Sequence, residues 1–142
     1  MSLQPSIGVR RSTQGILDTS TVILLPRLAD ATALPLEPLI TVVTLAELSA
    51  GPLVTDDERE RSARQAHLQQ AEADFQALPF DAVAARAFGQ VAASLRRSGR
   101  KTTARAFDAM IAATAVANDA ALATRNRSDL AGIESLVEIL AV

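Results

Sequence analysis

Gly15-Ile16-Leu17-Asp18-Thr19-Ser20 is the stretch from which the fold of this chain is read. A short apolar run closed by a carboxylate and two hydroxyls reads as a buried strand that hands over to a helix. In an open α/β sheet, ligands gather outside the carboxyl ends of the strands. A carboxylate placed there is stable only when it is paired, hydrogen-bonded or bound to a metal. On this stretch alone, Asp18 is equally well a helix N-cap or a metal ligand, and Thr19 or Ser20 is an alternative cap.

The same punctuation recurs downstream. Leu39-Ile40-Thr41-Val42-Val43 is β-branched and apolar and reads as a buried strand, with Thr44 capping a helix that runs from Leu45 to Ala50 and stops at Gly51-Pro52. Thr55, followed three residues later by Glu58, has the form of a capping box and opens a long polar helix to about Gln76. Ala77 to Phe80 is a short extended piece. Asp81 caps a helix in which Ala84, Ala87, Phe88, Val91 and Leu95 recur at helical spacing, ending near Ser98-Gly99. Residues 103–118 form the most apolar helix, which is expected to be central and buried. Ala121 to Thr124 is a strand, Ser128-Asp129-Leu130 opens a short turn or helix, and Leu136 to Leu140 is a last strand at a sheet edge. Between the first strand and the second, Thr19 to Asp30 is helix-like with a break at Pro26. Strands alternating with helices predict an α/β fold with a parallel sheet covered on both faces.

Composition narrows the chemistry. A length of 142 residues favours one domain, and a chain that is 49% hydrophobic but 3% aromatic must build its core from Ala, Leu, Val and Ile. Residues 1–14 are polar and aperiodic and read as a flexible extension or an expression remnant, leaving residues 15–142 as the folded unit. No apolar run is long enough to span a bilayer, and no secretory signal is seen, so a cytoplasmic protein without membrane contact is expected. Zero Cys excludes disulfides and thiolate metal sites, and the single His67 excludes zinc sites built on several imidazoles. His67, in the polar helix, is expected to face solvent. What remains is carboxylates, hydroxyls and arginines, which suit hard cations such as Mg²⁺ or Mn²⁺. The net charge of −2 means that contact with nucleic acid must come from a local patch.

Four positions could carry that chemistry. Asp108 is the sharpest, because it is the one charge in the ten residues from Ala106 to Ala115, where Thr114 alone is otherwise polar. At helical spacing it lies over Ile111, Ala112 and Ala115, so a buried, metal-bound or Arg105-paired carboxylate is expected. Glu47 lies about a turn into the helix after the second strand, where the bland reading is a favourable interaction with the helix dipole. Asn126 or Asp129, in Thr124-Arg125-Asn126-Arg127-Ser128-Asp129, follows a strand and could supply another oxygen, or simply belong to a polar loop. Carboxylates sharing a small space repel one another, and a divalent cation relieves that repulsion. Arg96, Arg97, Arg100, Lys101 and Arg105 crowd a segment with no acidic residue between Ser94 and Phe107, and Arg125 and Arg127 flank Asn126. These could bind phosphates or be a solvated helix end.

The pattern resembles the PIN-domain ribonucleases and, within them, the VapC-type toxins of bacterial toxin–antitoxin pairs. The matching segments are Ile16-Leu17-Asp18-Thr19-Ser20, Thr44-Leu45-Ala46-Glu47-Leu48 with Gly51, Phe107 to Ala115, and Ala123-Thr124-Arg125-Asn126 with Asp129-Leu130. Each is short, but their order and spacing over residues 15–142 are specific. The resemblance implies a single domain with a parallel sheet of about five strands. It also implies Mg²⁺-dependent RNA cleavage by metal-activated water, a VapB-type antitoxin and a homodimer. Asp18, Glu47 and Asp108 match the three main acidic positions, with Asp18 and Asp108 as metal ligands. Asp129 matches the acidic residue usually followed by Phe, where Leu130 stands here, and Asn126 is its polar neighbour. The seven cations named above would bind RNA phosphates. With no Trp or Tyr, little is left for base stacking.

The helix from Asp56 to Gln76 carries six acidic and three basic residues, so it is read as a solvated or partner-facing arm that could form an apolar antitoxin groove with the first helix. Two rivals compete: a PIN-like binding module without activity, and a phosphoacceptor α/β domain. The second lacks both an Asp two residues after Asp18 and a Lys at a late strand end.

Overall fold

The computed structural model describes residues 13–28, 31–99 and 105–142. Five strands form one parallel sheet in the order β3-β2-β1-β4-β5. They are β1 (Gln14–Leu17), β2 (Glu37–Thr41), β3 (Ala77–Leu78), β4 (Ala121–Thr124) and β5 (Ile139–Ala141). The chain builds outward from β1 through β2 to β3, then crosses to the other side of β1 for β4 and β5. The direction of winding therefore switches between β1 and β4, where a crevice opens at the strand ends.

Helices cover both faces: α1 (Thr19–Leu24), α2 (Val42–Ala50), α3 (Glu58–Asp74), α4 (Ala82–Arg97) and α5 (Ala106–Ala117). The period of two in the strands sorts the core between the two faces. Ile16 and Leu122 point into one cluster with Val91, Leu95 and the Ala109 to Ala115 stretch of α5. Their chain neighbours Leu17 and Ala123 point into the other, with Val22, Leu48 and Ala71. Ala-rich α5 is thus packed by its own small residues, as the low aromatic content requires. Gly15 is fixed by a close approach, because a Cβ there would lie 2.6 Å from Pro35 side-chain atoms.

Several boundaries differ from the sequence expectation, each for a local reason. The strand β1 begins at Gln14, one residue inside the expected extension, and most of that extension lies outside the described residues. The cap of α1 is Asp18 rather than Thr19 or Ser20, and α1 ends at Leu24 in a 3-10 turn whose second residue is Pro26. Thr41 caps α2, so Val42 and Val43 are helical: a hydroxyl bonded to Thr44 N overrides the strand preference of a β-branched pair. Asp57 caps α3, accepting from Arg59 N and Glu60 N, while Thr55 accepts from Asp57 N just outside the helix. The edge strand β5 starts at Ile139 rather than Leu136. His67 is half-buried against α1 and not out in solvent.

Candidate metal-assisted active site

Four carboxylates reach one cavity of about 270 Å³ from four separate elements. Asp18 comes from the end of β1, Glu47 from the second turn of α2, Asp108 from the first turn of α5, and Asp129 from the 3-10 turn Arg127–Leu130 that follows β4. Thr19, Ser20, Ile23, Thr124 and Asn126 also line it. The cavity lies at the switch point between β1 and β4, where the α/β topology leaves room.

Asp18 is held as a cap. Its Oδ1 accepts from Thr21 N at 3.0 Å and from Ser20 Oγ at 3.2 Å. Its backbone N donates to Ala123 O at 3.1 Å, locking the end of β1 to β4. The cap reading of Asp18 is the one seen, and both side-chain bonds fall on one oxygen.

Glu47 is held by a relay of hydroxyls. Thr19 Oγ1 donates to Glu47 Oε1 at 2.6 Å, and Thr19 Oγ1 and Thr44 Oγ1 are 3.0 Å apart. A hydroxyl has one proton to give, so Thr44 donates to Thr19, which donates to Glu47. Thr44 is fully buried and anchors the relay. Sequence reasoning had Thr19 and Thr44 only as caps. The signal was present in the i to i+3 spacing of Thr44 and Glu47, which puts both on one face of α2.

Asp108 departs from expectation, because its side chain is 43% exposed. Ile111, Ala112 and Ala115 on its face are buried, and Ile111 lines the cavity beside it, but the first turn of α5 that carries Asp108 opens onto that cavity. Arg105 is the one cation lining the cavity among the described residues. Its Nη1 lies 3.1 Å from Asp129 Oδ2 and 4.0 Å from Asp108 Oδ2. Among the described residues four acids thus line the cavity with one guanidinium, which reaches two of them.

The electrostatics follow from that imbalance. Glu47 is pushed above the usual carboxylate range chiefly by burial, with the Thr19 bond opposing and the charges of Asp108 and Asp18 adding. Asp108 is raised by burial first and then by Asp18, with Arg105 opposing and Asp129 adding. All four groups offer hard oxygens, which fits a divalent cation that would lower this repulsion. As the side chains stand, no three acidic groups among the described residues are set to hold an ion together. Mg²⁺ does not need them to be, since it keeps several waters and takes one or two carboxylates directly.

The other expected contacts divide. Asn126 and Asp129 both line the cavity, with Asp129 N donating to Asn126 O at 2.9 Å. Arg125 and Arg127 are exposed on the same loop. Arg96 and Arg97 are exposed in the last turn of α4 and do not line the cavity. Arg100 and Lys101 lie outside the described residues.

Comparison with known proteins agrees with this geometry. The family model described as "PIN domain" matches residues 16–133. A ribonuclease VapC5 of Mycobacterium tuberculosis is 36% identical over 132 residues, covering 90% of this chain and 95% of that protein. A crystal structure of VapBC-5, a member of the VapBC family of toxin–antitoxin systems from the same organism, superposes with a TM-score of 0.78 at 35% identity, covering 92% of this chain and 99% of that one. The structure of FitAcB from Neisseria gonorrhoeae gives 0.68 at 25% identity, over 89% and 96% of the two chains.

Proposed function

The chain belongs to the PIN-domain family, and from that premise we propose that it is a metal-dependent endoribonuclease, the toxin of a toxin–antitoxin pair. The observation that carries the reading is the meeting of Asp18, Glu47, Asp108 and Asp129 in one cavity with a single arginine among the described residues that line it.

Asp18 and Asp108 are the residues that would hold the cation, Mg²⁺ by preference with Mn²⁺ as a substitute. When bound, it acidifies water and offsets charge on the scissile phosphate. The protein's own groups do the rest. Asp18 keeps Oδ1 on the α1 cap and has Oδ2 to offer. Glu47, fixed through Oε1 by Thr19, has Oε2 to orient a water and receive its proton. Asn126 and Asp129 share the far side, Asp129 holding Arg105 in place. Arg105, Arg125 and Arg127, with Arg96 and Arg97 at the end of α4, bind flanking RNA phosphates.

Partner binding has its own surface. The groove between α1 and α3, lined by Val22, Leu25, His67, Ala71 and Phe75 among others, suits the apolar face of an antitoxin helix. The VapBC-5 structure from Mycobacterium tuberculosis, a member of a family of toxin–antitoxin systems, supports an antitoxin partner. No helix among the described residues is long and apolar enough to cross a membrane; a homodimer working in the cytoplasm is part of the proposed reading.

The test is to incubate antitoxin-free protein with a structured RNA pool. Cleavage is expected in Mg²⁺ and is lost in excess EDTA and in Asp108→Ala. Equal cleavage under all three conditions sinks the metal-nuclease reading. RNA binding with no cleavage at all favours an inactive PIN-like module.

A further inference from the structure

Phe107 is an aromatic ring that the fold leaves unused. The chain has four Phe and no Trp or Tyr. Phe80 and Phe88 meet edge to face with centroids 6.5 Å apart and pack on one core, and Phe75 packs on the other. Phe107 joins neither cluster and is 55% exposed. One exposed apolar side chain means little by itself. Its place gives it meaning, because it immediately precedes Asp108, and Arg105 two residues earlier lines the cavity. Consecutive helical positions are about 100° apart, and Phe107 stands on α5 directly before a residue that lines the cavity without lining it itself.

Arginines stand at the same end of the fold, beside the acidic cavity. Asp129 binds Arg105 at the start of α5, and Gly132 sits so close to the end of α4 that a Cβ there would lie 1.9 Å from Ser98 Oγ. One short segment, residues 126–132, therefore abuts both the last turn of α4 and the first turn of α5. That brings exposed Arg96 and Arg97 to the same end of the molecule as Arg105 and Phe107. An apolar ring with three arginines on its end of the fold suits a polyanion that carries flat aromatic faces. A seam between two copies would set these arginines against their own counterparts, and like charges disfavour that.

We propose that Phe107 is a base-stacking subsite, taking the face of an unpaired nucleobase beside the phosphodiester that the acidic cavity cleaves. The inference rests on the nuclease reading above and extends it to single-stranded RNA held by stacking as well as by charge. In this reading Phe107 supplies the stacking that the lack of Trp and Tyr otherwise leaves scarce.

Two measurements on the full chain test it. In the first, kcat/KM is measured on a single-stranded oligoribonucleotide scanned with one abasic residue at a time. Phe107→Ala and Phe107→Leu are expected to lose roughly five- to hundredfold, the range that base–aromatic stacking spans, while Phe107→Trp stays near wild type. One abasic position should cause the same loss in the wild type and none further in Phe107→Ala. In the second, 2-aminopurine RNA is titrated with protein in Ca²⁺, and quenching is expected with the wild type and not with Phe107→Ala. Wild-type cleavage with Phe107→Ala equally active and quenching unchanged overturns the subsite and leaves the nuclease standing. A wild type that quenches but does not cleave overturns the nuclease and leaves the stacking. A Phe107→Ala that loses its oligomeric state by light scattering, with a flat abasic scan, assigns the ring to a contact between copies and overturns the proposal.

Discussion

Acidic residues are concentrated in two regions of this molecule, and the fold treats them in opposite ways. Along α3 each of two acids has its own arginine: Arg61 pairs with Glu58 and Arg64 with Glu60, one helical turn apart. The same arginines reach back to the chain after α2, Arg61 to the carbonyls of Pro52 and Thr55 and Arg64 to that of Gly51. At the sheet end, four carboxylates share Arg105 alone among the described residues. The paired acids of α3 are consumed by structure, whereas in the cavity the acids outnumber the described cations four to one. Leftover negative charge is what a divalent cation needs, and the difference in pairing separates the two regions better than any count of acids does.

The largest break in that comparison comes from Asp108→Ala. Removing one member of this acid-rich set should lower RNA cleavage by at least about a hundredfold in Mg²⁺. Glu60→Ala on α3 should leave kcat/KM unchanged. Equal losses from both would erase the distinction.

Thr19→Val comes next. It severs the relay to Glu47 while keeping the shape of the side chain. A loss of roughly tenfold in kcat is expected with KM little changed, since the bond orients a group that acts on water and not on RNA. Thr19→Ser should restore the rate. A loss that appears only in KM would assign Thr19 to substrate binding instead.

Arg64→Ala probes the other region. Its bond to Gly51 O ties α3 to the end of α2, and its loss should lower stability by about 1 kcal/mol in urea unfolding without altering cleavage. A changed cleavage rate would mean that the arm reaches the site through α2.

The smallest effect is on pH-dependent stability. A carboxylate whose pKa is raised on folding favours the folded state most below its unfolded value, and that contribution is lost as pH rises through the folded pKa. The metal-free protein therefore carries a penalty at neutral pH from Asp108, whose ordinary value is 3.8. Asp108→Asn removes it. Its Tm should exceed the wild type by about 1–2 °C at pH 7, a gain kept small because the side chain is nearly half exposed and screened. The gain should vanish as pH falls below that ordinary value. A lower Tm at pH 7 would show that the carboxylate is stabilised by partners instead.

Much of this was legible from residue types alone. The parallel sheet, the Asp81 cap of α4 and the burial of α5 followed from periodicity and capping chemistry, which act within a few residues. The convergence of Asp18, Glu47 and Asp108 was legible because each follows a strand or opens a helix at the same end of an α/β sheet. Asp108 shows the limit. Its neighbours in sequence are apolar, yet exposure is set by what stands opposite the first turn of α5, and no local pattern encodes that. The Thr44–Thr19–Glu47 relay was hidden for the same reason, since it joins two helices 25 residues apart in the chain. The start of α2 was misplaced because a cap and a β-branched pair competed there, and the hydroxyl won.

The central claim is that the unpaired carboxylates at the sheet end bind a divalent cation. Calorimetric titration of the free protein with Mn²⁺ tests it most directly, comparing wild type, Asp18→Asn/Asp108→Asn, and Glu58→Gln/Glu60→Gln. The account predicts binding to the wild type and to the α3 variant alike, and its loss in the sheet-end variant. Binding that survives in Asp18→Asn/Asp108→Asn and disappears in Glu58→Gln/Glu60→Gln would contradict it.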